Sequence, residues 1–293
     1  MKKITIGQYV LRIIIILLMV VCFVPMMLIV IASFTDAASL SLNGFKFIPD
    51  KWSLDGWKYA LSFGDRLVQC YMNTILITIV GTIGSLLVDS MMAYTMSRQT
   101  FLPRNFYSKI LLVTMLFSGG QLSSYLINTQ YYHLNDNMLI LMLPSVSAMH
   151  IIMMRTYIRG NITDALIESA KIDGAGEFRI YAQIVMPLMP PVLASLGFMT
   201  VVGYWNNWAT AQLYIKTPSK WPLQMFLQNI ESNIQQISSG KIPAEAVAAL
   251  MDTVPEDPAR MAILLICLGP IMIAYPFFQK YFVKGLTIGA VKG

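Results

Sequence analysis

The sequence predicts an all-α membrane protein of six transmembrane helices forming a single domain over residues 1–293. Three observations carry that prediction. Hydrophobic residues make up 56% of the chain and charged residues only 12%, against roughly 25% charged in soluble domains. Apolar runs long enough to cross about 30 Å of hydrocarbon recur between polar interludes. Lysine and arginine gather in alternate interludes, as expected of a multi-pass chain.

The first span, 13–32, follows Lys2, Lys3 and Arg12 and exceeds the apolar core of a signal peptide. Bulky Val21 before Cys22 argues against a lipoprotein site, so a retained helix is expected. A polar loop at 34–70 carries Trp52, Trp57 and Tyr59, rings suited to a membrane interface. Span two, 71–96, ends at Ser97-Arg98, and Arg98, Arg104 and Lys109 precede span three, 110–127. Span four covers 138–157, and Arg155 and Arg159 lead into a polar loop at 162–187. Pro190-Pro191 open span five, 191–215. An outer loop at 216–260 is polar and partly helical. Span six, 261–278, contains Pro270 and Pro276, kink sites tolerated inside a bundle.

Blocks 1–12, 98–109, 155–187 and 280–293 hold 13 of the 21 Lys and Arg against four acids, whereas the other loops hold eight bases and ten acids. This places both termini and the 162–187 loop in the cytoplasm. The net charge of +6 is thus a topology signal and not a nucleic-acid one. Cys22, Cys70 and Cys267 lie far apart without a Cys-x-x-Cys, which supports neither a disulfide framework nor a zinc site. His133 and His150 fall near span ends, where interfacial or packing roles are expected.

The 162–187 loop reads as two short helices around a turn. Thr163 or Asp164 can cap the first, and Leu166, Ile167 and Ala170 form an apolar stripe. Asp173-Gly174 is a turn signal. Phe178, Tyr181, Ala182 and Val185 share a face of the second helix, which Pro187 closes. Taken alone, Glu168 and Lys171 make an i,i+3 pair worth about a few tenths of a kcal/mol.

The pattern Glu168-x-Ala170-x-x-Asp173-Gly174-Ala175, running on to Ile184 and Pro187, resembles the EAA loop of ABC-importer permeases, with Ser169 where Ala is usual. Ala93-Tyr94 with Ser97-Arg98, the Trp205-Asn206 pair, and the terminal Phe282-Val283-Lys284-Gly285-Leu286-Thr287 with Gly289-Ala290-Val291-Lys292-Gly293 resemble the carbohydrate-uptake branch, in particular the smaller permeases of maltose-type importers. The resemblance implies the type I ABC importer permease fold, with a cytoplasmic coupling helix docked into an ATPase groove through Glu168, Ser169, Ala170, Asp173, Gly174, Ala175 and Pro187. It further implies a bacterial cytoplasmic-membrane subunit paired with a second permease, two ATPase subunits that bind ATP and Mg, and an extracytoplasmic solute-binding protein. The cargo would be an oligosaccharide or glycan fragment.

No phosphate-cradling loop is present, and its nearest echo, Ser239-Gly240-Lys241-Ile242, lacks the earlier glycine and the hydroxyl residue. The chain is therefore expected to translocate without catalysing, and to bind no cofactor itself. Tyr204-Trp205-Asn206-Asn207-Trp208 and Gln121 are candidates for the substrate pathway, since rings and amides suit sugars; interhelical packing explains the same residues equally well. Asp89 is the one acid inside a span and fits either a polar partner within the bundle or a proton relay, the lack of a second such acid favouring the partner. Two rivals remain. A stand-alone secondary transporter requires repeats or several intramembrane charges, and a membrane enzyme requires paired catalytic groups.

The charge distribution makes a direct prediction. A cysteine at Ser239 should react with an impermeant thiol reagent added outside intact cells, and one at Ser169 should not. The reverse pattern would overturn the orientation.

Overall fold

The computed structural model describes residues 6–238 and 257–290. Among them there is no strand, only an isolated antiparallel bridge between Thr35 and Trp52. The helices are α1 (Ile6–Ser33), α2 (Ala37–Asn43), α3 (Asp55–Ser62), α4 (Gly64–Ser97) and α5 (Arg104–Leu116). Next come α6 (Gly120–Leu126), extended by a π-helical turn at Ile127–Tyr131, then α7 (Leu139–Met142) and α8 (Ala148–Asn161). The middle of the chain holds α9 (Asp164–Ile172), α10 (Glu177–Ile180), a π-helical turn at Tyr181–Val185 and α11 (Met186–Leu188). Last are α12 (Pro190–Trp205), α13 (Trp208–Tyr214), α14 (Leu223–Ser238) and α15 (Asp257–Ala290).

Two compact units divide the described chain: residues 6–68 with 226–238 and 257–270, and residues 69–225 with 271–290. In the first, the large apolar side chains of α1 from Tyr9 to Phe23 stand exposed, as befits a helix facing lipid or another subunit. The loop after α1 folds back on its end. Asp36 caps α2 by accepting the Ser39 N–H at 3.2 Å and pairs with Lys51 at 3.0 Å. Trp57 stacks on Phe34 at 5.5 Å and donates its indole N–H to the Ser33 hydroxyl at 3.2 Å. Arg260 clamps Glu231 with contacts of 2.9 and 3.2 Å, tying α15 to α14.

Three stretches are long and apolar enough to cross a membrane unaided: Gly7–Ser33, Gly64–Ser97 and Asp257–Pro276. Two more candidates are bent. Arg104–Leu116 with Gly120–Tyr131 turns through 110°, and Glu177–Leu188 with Pro190–Trp205 turns through 82°. The straight third span expected at 110–127 is therefore broken. So is the fourth, expected at 138–157: Pro144 lacks an N–H and drives Leu143 to extended backbone (ψ 137°), leaving α7 only four residues long. Helix resumes under a Ser147 cap, whose hydroxyl oxygen accepts the His150 N–H at 3.3 Å. The fifth span, expected over 191–215, is interrupted at Asn206 and Asn207, and the Asn207 side chain caps α13 by accepting the Thr210 N–H at 3.3 Å. Within the expected outer loop 216–260, α14 is helical, while residues 239–256 lie outside the described ones.

A helix break between spans exposes backbone groups, and in the second unit side chains answer them. The Tyr204 hydroxyl donates to the Leu143 carbonyl at 2.7 Å, accepts the Ser145 N–H at 3.0 Å and meets the Ser85 hydroxyl at 3.0 Å. Asp89 accepts the Ser147 N–H at 3.2 Å. The Leu143–Ser147 link is thereby held between α4 and α12. The Leu143 carbonyl and the Ser145 and Ser147 N–H groups are paired by protein.

Asp136, in the turn before α7, plays a comparable part at the other end of that helix. Its carboxylate accepts the N–H groups of Lys216 at 2.9 Å and Thr217 at 3.0 Å, and Lys220 approaches at 3.1 Å. The Thr217 hydroxyl and these neighbours hold its carboxyl well below the usual carboxylate range.

The ring of Tyr204 passes so close to α4 that a Cβ on Gly81 would lie 2.4 Å from it. Because the ring is pinned by its hydroxyl, Gly81→Ala should cost about 1–3 kcal/mol of overpacking and lower the thermal midpoint of the purified protein. Combining it with Tyr204→Leu should destabilise by less than the two changes summed. Simple additivity would show that this contact does not carry the effect.

Candidate functional site

The loop singled out by the sequence becomes a seated helix with one face left open. Thr163 occupies the cap position of α9, but its side chain makes no capping bond. Asp164 does the tethering instead: it accepts from the Gln99 side chain at 3.1 Å and lies 3.5 Å from the Arg98 guanidinium, both just beyond α4. Ile167 and Ala170 are buried in one cluster with Ala93, Ile151, Met154, Ile158 and Ile180. Leu166, expected in the same stripe, is 41% exposed.

Gly174 ends α9 at φ +82°. Its N–H reaches the Lys171 carbonyl at 3.0 Å, and the Ala175 N–H reaches the Ala170 carbonyl at 2.9 Å. This pair of bonds is the Schellman arrangement, in which the residue after the helix takes a left-handed conformation that glycine adopts without penalty. A Cβ at Gly174 would meet nothing within 4 Å, so the backbone angle alone calls for glycine within this chain.

Lys171 pairs across the turn with Glu177 at 2.6 Å and not with Glu168, and Glu177 also accepts from the Tyr94 hydroxyl. Glu168 forms no ion pair among the described residues. It is exposed together with Ser169, Asp173 and Gly174. Ile172 is 87% exposed and Phe178 72% exposed. In the following segment Tyr181 and Val185 are buried, whereas Ala182 and Pro187 are exposed, so the expected second face is split. The result is a helix-turn-helix segment offering the Glu168 carboxylate and Ile172 from α9 and Phe178 from α10, a composition suited to a protein groove.

Two clefts among the helices of the second unit take in candidate pathway residues. One, of about 320 Å³, is lined by Ser145, Ser147, His150, Met199, Thr200, Gly203, Tyr204 and Asn207. Behind it Asp89 is fully buried, 3.5 Å from the Nδ1 of His150. Asp89 is thus hydrogen-bonded by Ser147 and faces His150, with no second acid beside it among the described residues. The other cleft, of about 440 Å³, is lined by Gln121 together with Ser118, Ser124, Asn128, Thr210 and Tyr214 among others.

The candidate pathway residues are accordingly dispersed. Tyr204 and Asn207 share one cleft, Gln121 faces the other, and Asn206 and Trp208 line neither. Trp205 is buried edge-on against Tyr71, with ring centroids 6.2 Å apart. Hydroxyls and amides dominate the polar lining of both clefts and can match the hydroxyls of a sugar. Ser145 and Ser147 escaped the sequence reading, although Pro144-Ser145-Val146-Ser147 already marked a polar break in an apolar run, and His150, expected in an interfacial or packing role, borders this cleft.

The chain is similar to known transport proteins. The family model described as "Binding-protein-dependent transport system inner membrane component" matches residues 1–288. The polygalacturonan/rhamnogalacturonan transport system permease protein YtcP of Bacillus subtilis (strain 168) is 32% identical over 281 residues, covering 93% of each chain. The arabinooligosaccharides transport system permease protein AraQ of Halalkalibacterium halodurans is 27% identical over 92% of this chain and 91% of its own. Among solved structures, a chain of a bacterial ABC transporter involved in the import of the acidic polysaccharide alginate superposes with a TM-score of 0.80 at 26% identity, over 96% of this chain and 100% of that one.

Proposed function

The chain belongs to the inner-membrane component family of binding-protein-dependent transport systems, and we propose that α9 is the helix through which its importer couples to ATP. In this reading the chain is one permease subunit of an ABC importer for oligosaccharides or glycan fragments. It pairs with a second permease and two ATPase subunits, which bind ATP and Mg, and receives cargo from an extracytoplasmic binding protein. The coupling segment and both termini lie in the cytoplasm. YtcP is named for polygalacturonan and rhamnogalacturonan, and the structural neighbour for alginate, so acidic oligosaccharides are the first cargo to try.

The observation that supports this most is the asymmetry of α9. Ile167 and Ala170 are locked into the core, while Glu168, Ile172 and Asp173 stand free on the opposite side. A helix fixed on one face transmits force as a rigid body; ATP closure of the ATPase pair would move it, and the spans would follow. Asp164 and the Lys171–Glu177 pair stiffen the lever, and Gly174 sets its end. Glu168, lacking an ion-pair partner within the described chain, is then available to one on the ATPase.

Reconstitution of variants with their partners tests the proposal. Gly174→Val forces a β-branched residue into a left-handed position, at roughly 1–2 kcal/mol, and Glu168→Ala removes the outward charge. Both variants should insert normally, yet lower sugar-stimulated ATP hydrolysis by about tenfold, equivalent to ~1.4 kcal/mol of docking, or release the ATPase on purification. Normal hydrolysis and transport by both would remove α9 from the coupling role. Transport by the purified chain alone, without ATP, would favour a secondary transporter.

A further inference from the structure

Beside the coupling segment lies a cluster of arginines that the import reading leaves unused. Arg155, on α8, donates to the Ser108 hydroxyl oxygen at 2.9 Å, and that hydroxyl donates to the Arg104 carbonyl at 2.7 Å. The Arg155 guanidinium is thereby held against the first turn of α5. Arg104 and Arg159 lie near enough for their charges to act on it. Among the described residues no carboxylate forms an ion pair with any of the three. Asp164, close in sequence, is engaged by Arg98 and Gln99. One Arg104 Nη1 is buried without a hydrogen-bond partner.

Arg155 and Arg159 line an open cleft of about 380 Å³ with Ile152, Thr156 and Gly160. The start of α5 strengthens the positive field, because it has no acid in its first turn and no side-chain cap, so its N–H groups present the positive end of the helix dipole. Three guanidinium groups gathered without an anion repel one another, and an unpartnered buried N–H is costly. The repulsion is relieved by one ligand in the cleft that carries a negative charge and several acceptor oxygens.

We propose that this cluster binds the phosphate headgroup of an anionic phospholipid in the leaflet on the coupling-segment side. A phosphodiester offers two unesterified oxygens that match the guanidinium fork. Exposed Phe106, Ile110 and Val113 on α5, with Met149, Ile152 and Met153 on α8, provide apolar surface for acyl chains. Inorganic phosphate shares the headgroup chemistry but has no tails to lay on that surface. The placement rests on the cytoplasmic orientation proposed above, where the leaflet carries anionic lipid and basic pockets between spans take such headgroups.

The test uses the complete complex purified in mild detergent. Its thermal midpoint is measured with added phosphatidylglycerol, phosphatidylcholine or inorganic phosphate, and co-purified lipid is quantified by mass spectrometry. Phosphatidylglycerol should raise the midpoint of the unaltered complex, with phosphatidylcholine and phosphate having little effect at matched concentration. Arg155→Gln with Arg159→Gln should lose at least half of both the stabilisation and the retained phosphatidylglycerol. Arg159→Gln alone, at an exposed position, should lose a smaller share, so the proposal stays testable even if the double variant folds poorly. Equal stabilisation by inorganic phosphate would overturn the lipid as source. Equal stabilisation by phosphatidylcholine, or unchanged phosphatidylglycerol retention in the variants, would overturn the site. Release of the ATPase with retention unchanged would make the cluster a protein contact, which overturns the proposal equally. Lipid retention is read without ATP or sugar, so this inference and the import reading can fail separately.

Discussion

A backbone inside a membrane cannot leave its polar groups to water, and that constraint organises the second unit. Pro144 breaks the run between α7 and α8, and the freed groups at Leu143, Ser145 and Ser147 are paired by Tyr204, Ser85 and Asp89. The pairing fixes the start of α8 relative to α4 and α12. Ile151, Met154 and Ile158 on α8 then form much of the seat that receives Ile167 and Ala170 of α9. The position of the outward-facing helix is therefore set, through one continuous packed cluster, by hydrogen bonds made at the helix break.

The same constraint explains why residues with the chemistry of a sugar site turn out to have structural duties. The Tyr204 hydroxyl is engaged on Leu143, Ser145 and Ser85, and the Asn207 side chain caps α13. Both still line a cleft, so one side chain can hold the frame and border an opening. Asp89 is similar: buried and costly, it accepts the Ser147 N–H on Oδ1, while Oδ2 has no hydrogen-bond partner among the described residues and lies 3.5 Å from the Nδ1 of His150. One carboxylate oxygen of Asp89 thus has a structural duty at the start of α8.

Much of the architecture was legible in the sequence, because its causes are local. Runs of apolar residues marked α1, α4 and α15, and Asp173-Gly174 marked the end of α9, where the Schellman bonds and φ +82° follow from the glycine. What escaped the sequence depends on distant partners. Spacing alone paired Lys171 with Glu168, but the folded turn brings Glu177 nearer. Hydropathy averaged straight through Pro144 and through Asn206-Asn207, hiding breaks that tertiary hydrogen bonds make affordable. Asp136 carries no local signal in the sequence; Lys216, Thr217 and Lys220 converge on it only in the fold.

The central claim is that the open face of α9 docks on the ATPase as part of a rigid body. A photo-crosslinking amino acid in place of Ile172, the most exposed apolar position of that helix at 87%, tests it in the assembled complex. Docking through this face should give an adduct between this chain and an ATPase subunit, formed with and without ATP because the helix stays docked while it moves. An intact complex that yields no such adduct, or yields only adducts to lipid or to the second permease, would contradict it.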